Sequence, residues 1–191
     1  MDSRETFAQA LCDILVKHQV ISPAESRAMH RIFKESEKEQ FDDFLLEEGL
    51  VEEAPLLRAL AEHFQVPPVD VVGYFFDHTL LKNFPKDFLL QRRIIPLELD
   101  SSIVVMVASR PDNAELLPDI GKYVSADVQF RVGLGRDIED AIKEYYDPSL
   151  TEPQNDDYDP EIEHDEKEAL KEVLAQDDIV PFEEEEEEEE E

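Results

Sequence analysis

The chain has 191 residues, and 18 Lys and Arg stand against 49 Asp and Glu, for a formal net charge of −31 at pH 7. Such a charge repels a phosphate backbone and excludes general nucleic-acid binding, while the length predicts one domain or two small ones. The sequence contains neither an apolar run long enough to span a bilayer nor a signal-peptide pattern at its start. Its single cysteine, Cys12, allows no internal disulfide and is typical of a reducing compartment. We therefore expect a cytoplasmic protein without direct membrane insertion.

Residues 1–65 are predicted to form four helices joined by short turns. Apolar residues recur at helical spacing in four segments, around residues 7–16, 23–33, 41–48 and 56–64. The second segment has the clearest start signal. Ser22 can cap the helix, Pro23 suits its first turn, and Glu25 can bond back to the cap as a capping box.

Two stretches of this helical part repeat at an offset of thirty residues: LVKHQVISPAESRAMH (15–30) and LLEEGLVEEAPLLRAL (45–60). Gly49 lies at the break of the second copy, where it fits the left-handed position that closes a helix. Gln19 lies at the break of the first copy, where that conformation costs a non-glycine residue about 1 kcal/mol. The following pair, Leu50 and Val51, either faces a ligand or packs in the helical core, and burial statistics favour the core.

Residues 66–147 are predicted to form a small α+β sandwich with a mixed or antiparallel sheet. Val66-Pro67-Pro68 ends the helical part, because a residue before proline avoids the helical region. The predicted elements are a strand at 69–72, short helical turns within 80–90, a hairpin of strands 94–99 and 103–108, a helix around 112–124, a strand at 128–132 and a helix at 136–146. Gly133 and Gly135 indicate a strand-to-helix turn rather than a nucleotide loop.

The only adjacent pair of basic residues in this part is Arg92-Arg93. It could dock an acidic partner surface. It could instead pair with Glu98 or Asp100 of its own hairpin, and we favour this second arrangement because surface arginines commonly lie near acids.

Residues 148–191 are rich in Asp, Glu and Pro and end in nine glutamates. We predict a disordered acidic tail, because like charges repel and the segment has little apolar area to bury. Within this tail, the spacing of apolar residues permits one helix, at residues 165–175. The tail could be a solubilising segment, a contact for a basic partner, or an intramolecular competitor for a basic groove.

The sequence indicates no catalytic or metal site. A GxxxxGK[ST] phosphate loop is missing, and the five histidines and Cys12 lack the spacing of zinc ligands. Adjacent acids such as Asp42 and Asp43 diverge on a helix, so we interpret them as solvated side chains rather than as a general acid/base pair. We expect that the chain is not an enzyme and has no resident cofactor.

Three segments together resemble the N-terminal region of type II secretion and type IV pilus assembly ATPases: LLEEGLVEEAPLLRALAEHFQVPPVDV (45–71), RRIIPLELDSSIVVMVAS (92–109) and DIEDAIKEYY (137–146). The resemblance covers about residues 8–147. It implies a region that links the motor to the inner-membrane platform and can regulate it. The ATPase core with its Walker motifs would follow, and the acidic tail stands in its place. We therefore expect a free-standing, non-catalytic adaptor or regulator that contacts a protein component of a secretion or pilus machine.

The same resemblance implies a candidate nucleotide site. In some of these ATPases the helical part is a cyclic di-GMP receptor, the MshEN domain, built from two tandem units. The receptor motif maps onto Gln40, Leu45, Leu46, Gly49, Leu50, Val51, Leu56, Leu60 and His63 of the second unit.

Departures from the motif weigh against nucleotide binding. Gln40, Asp42 and His63 replace its arginine, glycine and final glutamine, and in the first unit Ala10 and Gln19 depart likewise. Loss of charge-assisted contacts should weaken binding of a dianionic ligand. We therefore favour a helical packing unit that retains its core. A cyclic di-GMP sensor with a degenerate site is one alternative, and an acidic chaperone-like or mimic protein acting through its tail is another.

Overall fold

The computed structural model describes residues 3–146, so the predicted disordered tail and the predicted helix at 165–175 lie outside the described residues. Within that range the elements are α1 (Ser3–Lys17), α2 (Pro23–Glu35), α3 (Phe41–Glu47), α4 (Glu53–Phe64), α5 (His78–Leu81), α6 (Lys86–Arg92), β1 (Ile94–Asp100), β2 (Ile103–Ala108), α7 (Leu116–Ile120), β3 (Asp127–Val132) and α8 (Gly135–Tyr145). The fold is α+β, as predicted. No helix among the described residues combines the length and the apolarity needed to cross a membrane.

The four predicted N-terminal helices are confirmed as α1 to α4. At the start of α2, the Ser22 hydroxyl accepts a hydrogen bond from the backbone N–H of Glu25 (3.2 Å), and the Glu25 carboxylate accepts one from the backbone N–H of Ser22 (2.7 Å). This is the predicted capping box. Met29 and Phe33 of α2 are buried, whereas Ile32 is 49% exposed, so the buried face of α2 is narrower than its apolar residues suggest.

Helices α1 and α3 end in the same turn, thirty residues apart. The φ angle is +58° at Gln19 and +62° at Gly49. In the first copy Gln19 N–H donates to the carbonyl of Val16 and Val20 N–H to that of Leu15. In the second copy the N–H of residue 49 donates to the carbonyl of residue 46, and the N–H of residue 50 donates to that of residue 45. Both ends are Schellman motifs, so the sequence repeat is a structural repeat.

We expect Gln19→Gly to raise the free energy of unfolding by about 0.5–1 kcal/mol, because glycine adopts a positive φ without strain. Gly49→Val should lower it by about 1–2 kcal/mol, through backbone strain alone, since a Cβ at Gly49 meets no atom within 4 Å. Gln19→Val, the matched control, should have a smaller effect, because Gln19 already has that strain. Urea denaturation measures all three. An equal loss from both valine variants would contradict this account.

The strands form one sheet in the order β1-β2-β3. β1 pairs antiparallel with β2 as the predicted hairpin, and Ser101 adopts a φ of +54° in its turn. β3 pairs parallel with β2, from Ile103 beside Asp127 to Ala108 beside Val132. The sheet is therefore mixed, which is one of the two predicted arrangements.

Two predicted elements differ from the structure. Residues 69–72 do not form a strand: Pro67 and Pro68 lack N–H donors, and the Asp70 carboxylate bends the chain by accepting a hydrogen bond from Val72 N–H. A single bridge joins Pro68 to Val132. The helix predicted around 112–124 is shortened to α7, because the Asn113 side chain accepts from Glu115 N–H and holds the preceding residues in a turn.

The described residues belong to one compact unit that contains two hydrophobic cores. The first core packs the sheet against α5 to α8. The second core packs α1 to α4 around Phe41 and Phe44. It also includes Val132, the last residue of β3, and Leu134, the residue before α8. Between these two residues, Gly133 faces the other core, where an added Cβ would meet Val107 Cγ1 at 2.7 Å. The domain boundary predicted at residue 65 stays a prediction.

Candidate functional site

The nine residues of the predicted nucleotide motif do not lie on one surface. Leu45, Leu56 and Leu60 have no exposed area and belong to the helical core, and Val51 is nearly buried beside them. Gln40, Leu46, Leu50 and His63 are half-buried, and Gly49 is exposed. Leu50 and Val51 both pack against the helical core, as favoured from the sequence.

The accessible part of the second repeat turn borders a cleft that contains more carboxylates than cations. Its lining residues are Leu46, Val51, Glu52, Glu53, Ala54 and Arg136. Arg136 is the one cation of this lining, and its guanidinium binds the carboxylates of Glu53 and Asp137. A phosphate that binds Arg136 would have to displace these two carboxylates from its guanidinium.

Gln40 and Asp42 bind an arginine from the other part of the chain. Arg110 Nη2 donates to Asp42 Oδ1 at 2.9 Å, and both Nε and Nη2 donate to Gln40 Oε1 at 3.0 and 2.5 Å. The Arg110 guanidinium also lies over the ring of Phe7, 3.6 Å from its centroid. The Asp42 side chain is only 3% exposed. Burial raises the pKa of Asp42, and the nearby charge of Arg110 opposes that rise.

The ring of His63 lies beside the same cluster. It packs edge-on against Phe7 and Phe64, with centroids 5.0 and 4.8 Å away. Burial lowers the pKa of His63; Asp112 partly opposes this shift and the positive Arg110 adds to it. The sequence departs from the nucleotide motif at three positions, and the side chains at all three pack in the cluster around Arg110. They are Gln40, Asp42 and His63.

The predicted pairing of Arg92 and Arg93 with Glu98 or Asp100 is wrong. Arg92 binds Glu115 (2.8 Å) and Asp119 (2.5 Å) around α7, and Arg93 binds Asp43 of α3 and Glu139 of α8. The reason is geometric. The arginines precede β1, and an extended strand moves the chain by about 3.3 Å per residue, so the acids at its far end are out of reach.

Three arginines therefore connect the helical part to the α+β part: Arg93 to Asp43, Arg110 to Gln40 and Asp42, and Arg136 to Glu53. Reasoning from the sequence missed this arrangement, whose partners are 50 to 83 residues apart. The one local signal was a pair of acids on an apolar helix, Asp42-Asp43. Within the described range, no three His, Cys, Asp or Glu side chains form a group that could hold a metal ion.

A second feature missed from the sequence is an apolar loop at residues 71–76. Phe75 is 98% exposed at its tip, beside Val72 (68%) and Tyr74 (40%). Both ends of the loop are anchored, because Val71 and Phe76 are buried in the first core. The Tyr145 hydroxyl donates to the Phe76 carbonyl at 3.1 Å. The sequence VVGYFF gave no sign of this exposure, because apolar runs normally predict buried segments.

Comparisons with known proteins identify the fold. Residues 64–152 match the family model of the MshEN domain, which places the match mainly in the α+β part. A structure of MshE with cdg (cyclic di-GMP) is similar at a TM-score of 0.58 and 19% identity, covering 71% of this chain and 98% of that one. The N-terminal domain of XpsE is similar at a TM-score of 0.56 and 19% identity, covering 77% and 99%. No curated protein matches. Residues 64–152 are thus similar to the MshEN domain family, and the chain shares its fold with the structures of MshE and of the N-terminal domain of XpsE.

Proposed function

We propose that this chain is a non-catalytic adaptor or regulatory module that contacts a protein component of a type II secretion or type IV pilus machine. The likeness to the N-terminal domains of MshE and XpsE supports the class of module. The observation that carries the proposal is the anchored loop that presents Phe75 almost entirely to solvent. We place the module in the cytoplasm, in keeping with its single cysteine, whose thiol is buried.

An anchored aromatic side chain suits protein recognition. Burying a phenylalanine side chain stabilises a complex by about 1.5–3 kcal/mol, and aromatic residues are common at the centres of interfaces. Because both loop ends are held in the core, little conformational freedom is lost when a partner binds. Asp70 and Asp77 flank the loop, so the partner surface that fits best is an apolar pocket with basic residues at its rim.

The test is capture of partners by the full-length chain from a native lysate, with the captured proteins identified by mass spectrometry. We expect wild type to retain a component of the secretion or pilus machine and Phe75→Ser to lose it. Leu117→Ser is the matched control, because Leu117 is also apolar and exposed (53%) but lies on α7. Leu117→Ser should capture the partner as wild type does.

Two results would contradict this proposal. The first is equal capture by wild type and Phe75→Ser, which would remove the loop from the interface. The second is capture of proteins unrelated to these machines. Circular dichroism of each variant establishes that its fold is unchanged, so that a loss of capture refers to the surface and not to unfolding.

A cyclic di-GMP sensor is the second candidate, because one of the similar structures is of MshE with cdg. Its proposed site comprises the accessible members of the motif, Gln40, Leu46, Gly49, Leu50 and His63. The acids of the neighbouring cleft and the hydrogen bonds between Gln40 and Arg110 oppose it. Calorimetric titration of the full-length chain with cyclic di-GMP decides between the candidates. Saturable binding that His63→Ala removes would favour the sensor.

A further inference from the structure

One outer strand of the sheet has an open edge. The outer strands are β1 and β3. The edge of β1 is interrupted, because Pro96 lacks an N–H donor and the pairing register shifts between Pro96 and Glu98. β3 contains neither proline nor glycine. Among the described residues, the outer side of β3 pairs with one other segment only, through the bridge from Pro68 to Val132. Residues 127–131 are therefore open to another strand, and we name them the β3 edge.

Hydrogen bonds at the two ends of β3 show which backbone groups point to this edge. Asp127 N–H donates to a carbonyl of β2 at 2.8 Å, and Val132 N–H donates in the opposite direction, to the Pro67 carbonyl at 3.0 Å. Backbone groups alternate in direction along a strand, so Val128 and Phe130 also direct their N–H and C=O outward. Within the part of the chain that the structure describes, these outward groups have no hydrogen-bond partner.

The side chains of the β3 edge are complementary to those of a second β3 edge. Asp127 and Gln129 are exposed, and Arg131 is half-buried. Neither Asp127 nor Arg131 has an ion-pair partner among the described residues. If a copy of the edge is turned by half a rotation about Gln129, Asp127 of each strand faces Arg131 of the other. Val128 then faces Phe130 in the same way. The segment therefore satisfies the condition for a two-fold symmetric contact, in which one patch binds an identical patch.

We propose that two copies of this chain associate through their β3 edges, which pair antiparallel and are centred on Gln129. Val128 of one copy exchanges both backbone hydrogen bonds with Phe130 of the other, and each Asp127 lies opposite Arg131. Apolar pairs and opposite charges directly across two strands both stabilise a sheet. The two three-stranded sheets become one continuous sheet.

The two neighbouring registers fit less well. Pairing centred on Phe130 requires the backbone of Val132, whose N–H and C=O are already bonded to residues 67–69. Pairing centred on Val128 places Arg131 opposite the chain that precedes β3, where it meets no acid. The proposed register is the one that uses every outward group of the β3 edge and also pairs its charges.

Two features limit the strength of this contact. The chain bends at residue 126, so the paired segment does not extend before residue 127. The formal net charge of −31 makes one copy repel another. A short interface between repelling molecules is typical of a weak, transient complex. We therefore expect a dimer that forms as the protein concentration rises.

The first test is sedimentation velocity of the full-length chain in about 0.15 M salt, where the Debye length is about 8 Å. We expect the weight-average mass to rise from monomer toward dimer between about 10 µM and about 1 mM. Asp127→Arg and Arg131→Asp should each weaken the dimer about tenfold, because either change turns both ion pairs into pairs of like charge. The variant that carries both changes should regain most of the lost affinity, because its charges are again opposite.

Asp100→Arg is the matched control for Asp127→Arg. Asp100 is exposed at the end of β1, and its replacement changes the net charge by the same amount. Both variants are less negative than wild type, so a general charge effect would strengthen association in both. The proposal instead expects a weaker dimer from Asp127→Arg and no weakening from Asp100→Arg. Circular dichroism establishes that each variant keeps its fold.

Gln129→Cys tests the register. In the proposed pairing the two copies of residue 129 face each other without mutual hydrogen bonds, with Cα atoms about 4.5 Å apart, which is within the range of a disulfide. Mild oxidation should therefore give severalfold more covalent dimer from Gln129→Cys than from Glu98→Cys, whose cysteine is exposed on β1. Cys12 is buried. The proposal is overturned by a chain that stays monomeric up to about 1 mM, by a double charge variant that associates no better than the single ones, or by equal disulfide yields.

Discussion

Arg110→Ala should lower the free energy of unfolding by about 3–5 kcal/mol, one of the two largest effects we expect in this protein. The substitution leaves the Asp42 carboxylate buried without its cation, and loss of one partner from a buried ion pair has a cost of that size. It also removes the hydrogen bonds to Gln40 and the contact with the Phe7 ring. Urea denaturation followed by circular dichroism measures the change.

Arg58→Ala is the control for this prediction. Arg58 is exposed, and the described residues provide no ion-pair partner for it, so its loss should change the free energy of unfolding by about 0.5 kcal/mol or less. A similar loss from both variants would mean that Arg110 is a surface charge of little consequence. Replacing Asp42 and Arg110 together should cost less than the sum of the single changes, because the two residues interact directly.

Leu134→Ala should destabilise the chain by about 2–4 kcal/mol, the usual cost of truncating a buried leucine. Leu134 lies at the start of α8, far along the chain from α1 to α4, yet it is 4% exposed and packs in their core. The change should therefore weaken the helical part as well as the α+β part. Hydrogen exchange resolved by peptide would show lower protection in both.

Leu99→Ala is the matched control, since Leu99 is 51% exposed on β1. It should cost about 0.5 kcal/mol or less. Faster exchange confined to β3 and α8 in Leu134→Ala, with α1 to α4 unchanged, would show that the two cores unfold independently. That result would support an autonomous helical domain ending at residue 65.

Local features of this fold could be predicted from the sequence because their causes lie within a few residues. The Ser22 capping box, the left-handed helix ends at Gln19 and Gly49, and the β1–β2 hairpin each involve neighbours in the chain. The thirty-residue repeat was visible because the turn geometry requires the same apolar positions in both copies. The mixed sheet was one of two open arrangements, since the direction of β3 depends on contacts beyond its own residues.

Features set by distant contacts could not be predicted. Asp42 looked like a solvated charge and is buried, because Arg110 compensates it from 68 residues away. Residues 69–72 looked like a strand, because periodicity does not show that Pro67, Pro68 and Asp70 remove or redirect the necessary hydrogen bonds. Of the candidate site, the sequence identified the repeat turns but not which of their leucines face inward, nor the exposed Phe75.

The position of Val132 and Leu134 has a consequence for the order of folding during synthesis. The ribosome releases α1 to α4 first, but their core is incomplete until residues 132–134 emerge, about 70 residues after α4. At about 5–20 residues per second, the nascent helices wait for several seconds with apolar surface uncovered. During that interval the early helices depend on chaperones or on their own weak packing. Residues 132–134 therefore complete the core of helices that were synthesised well before them.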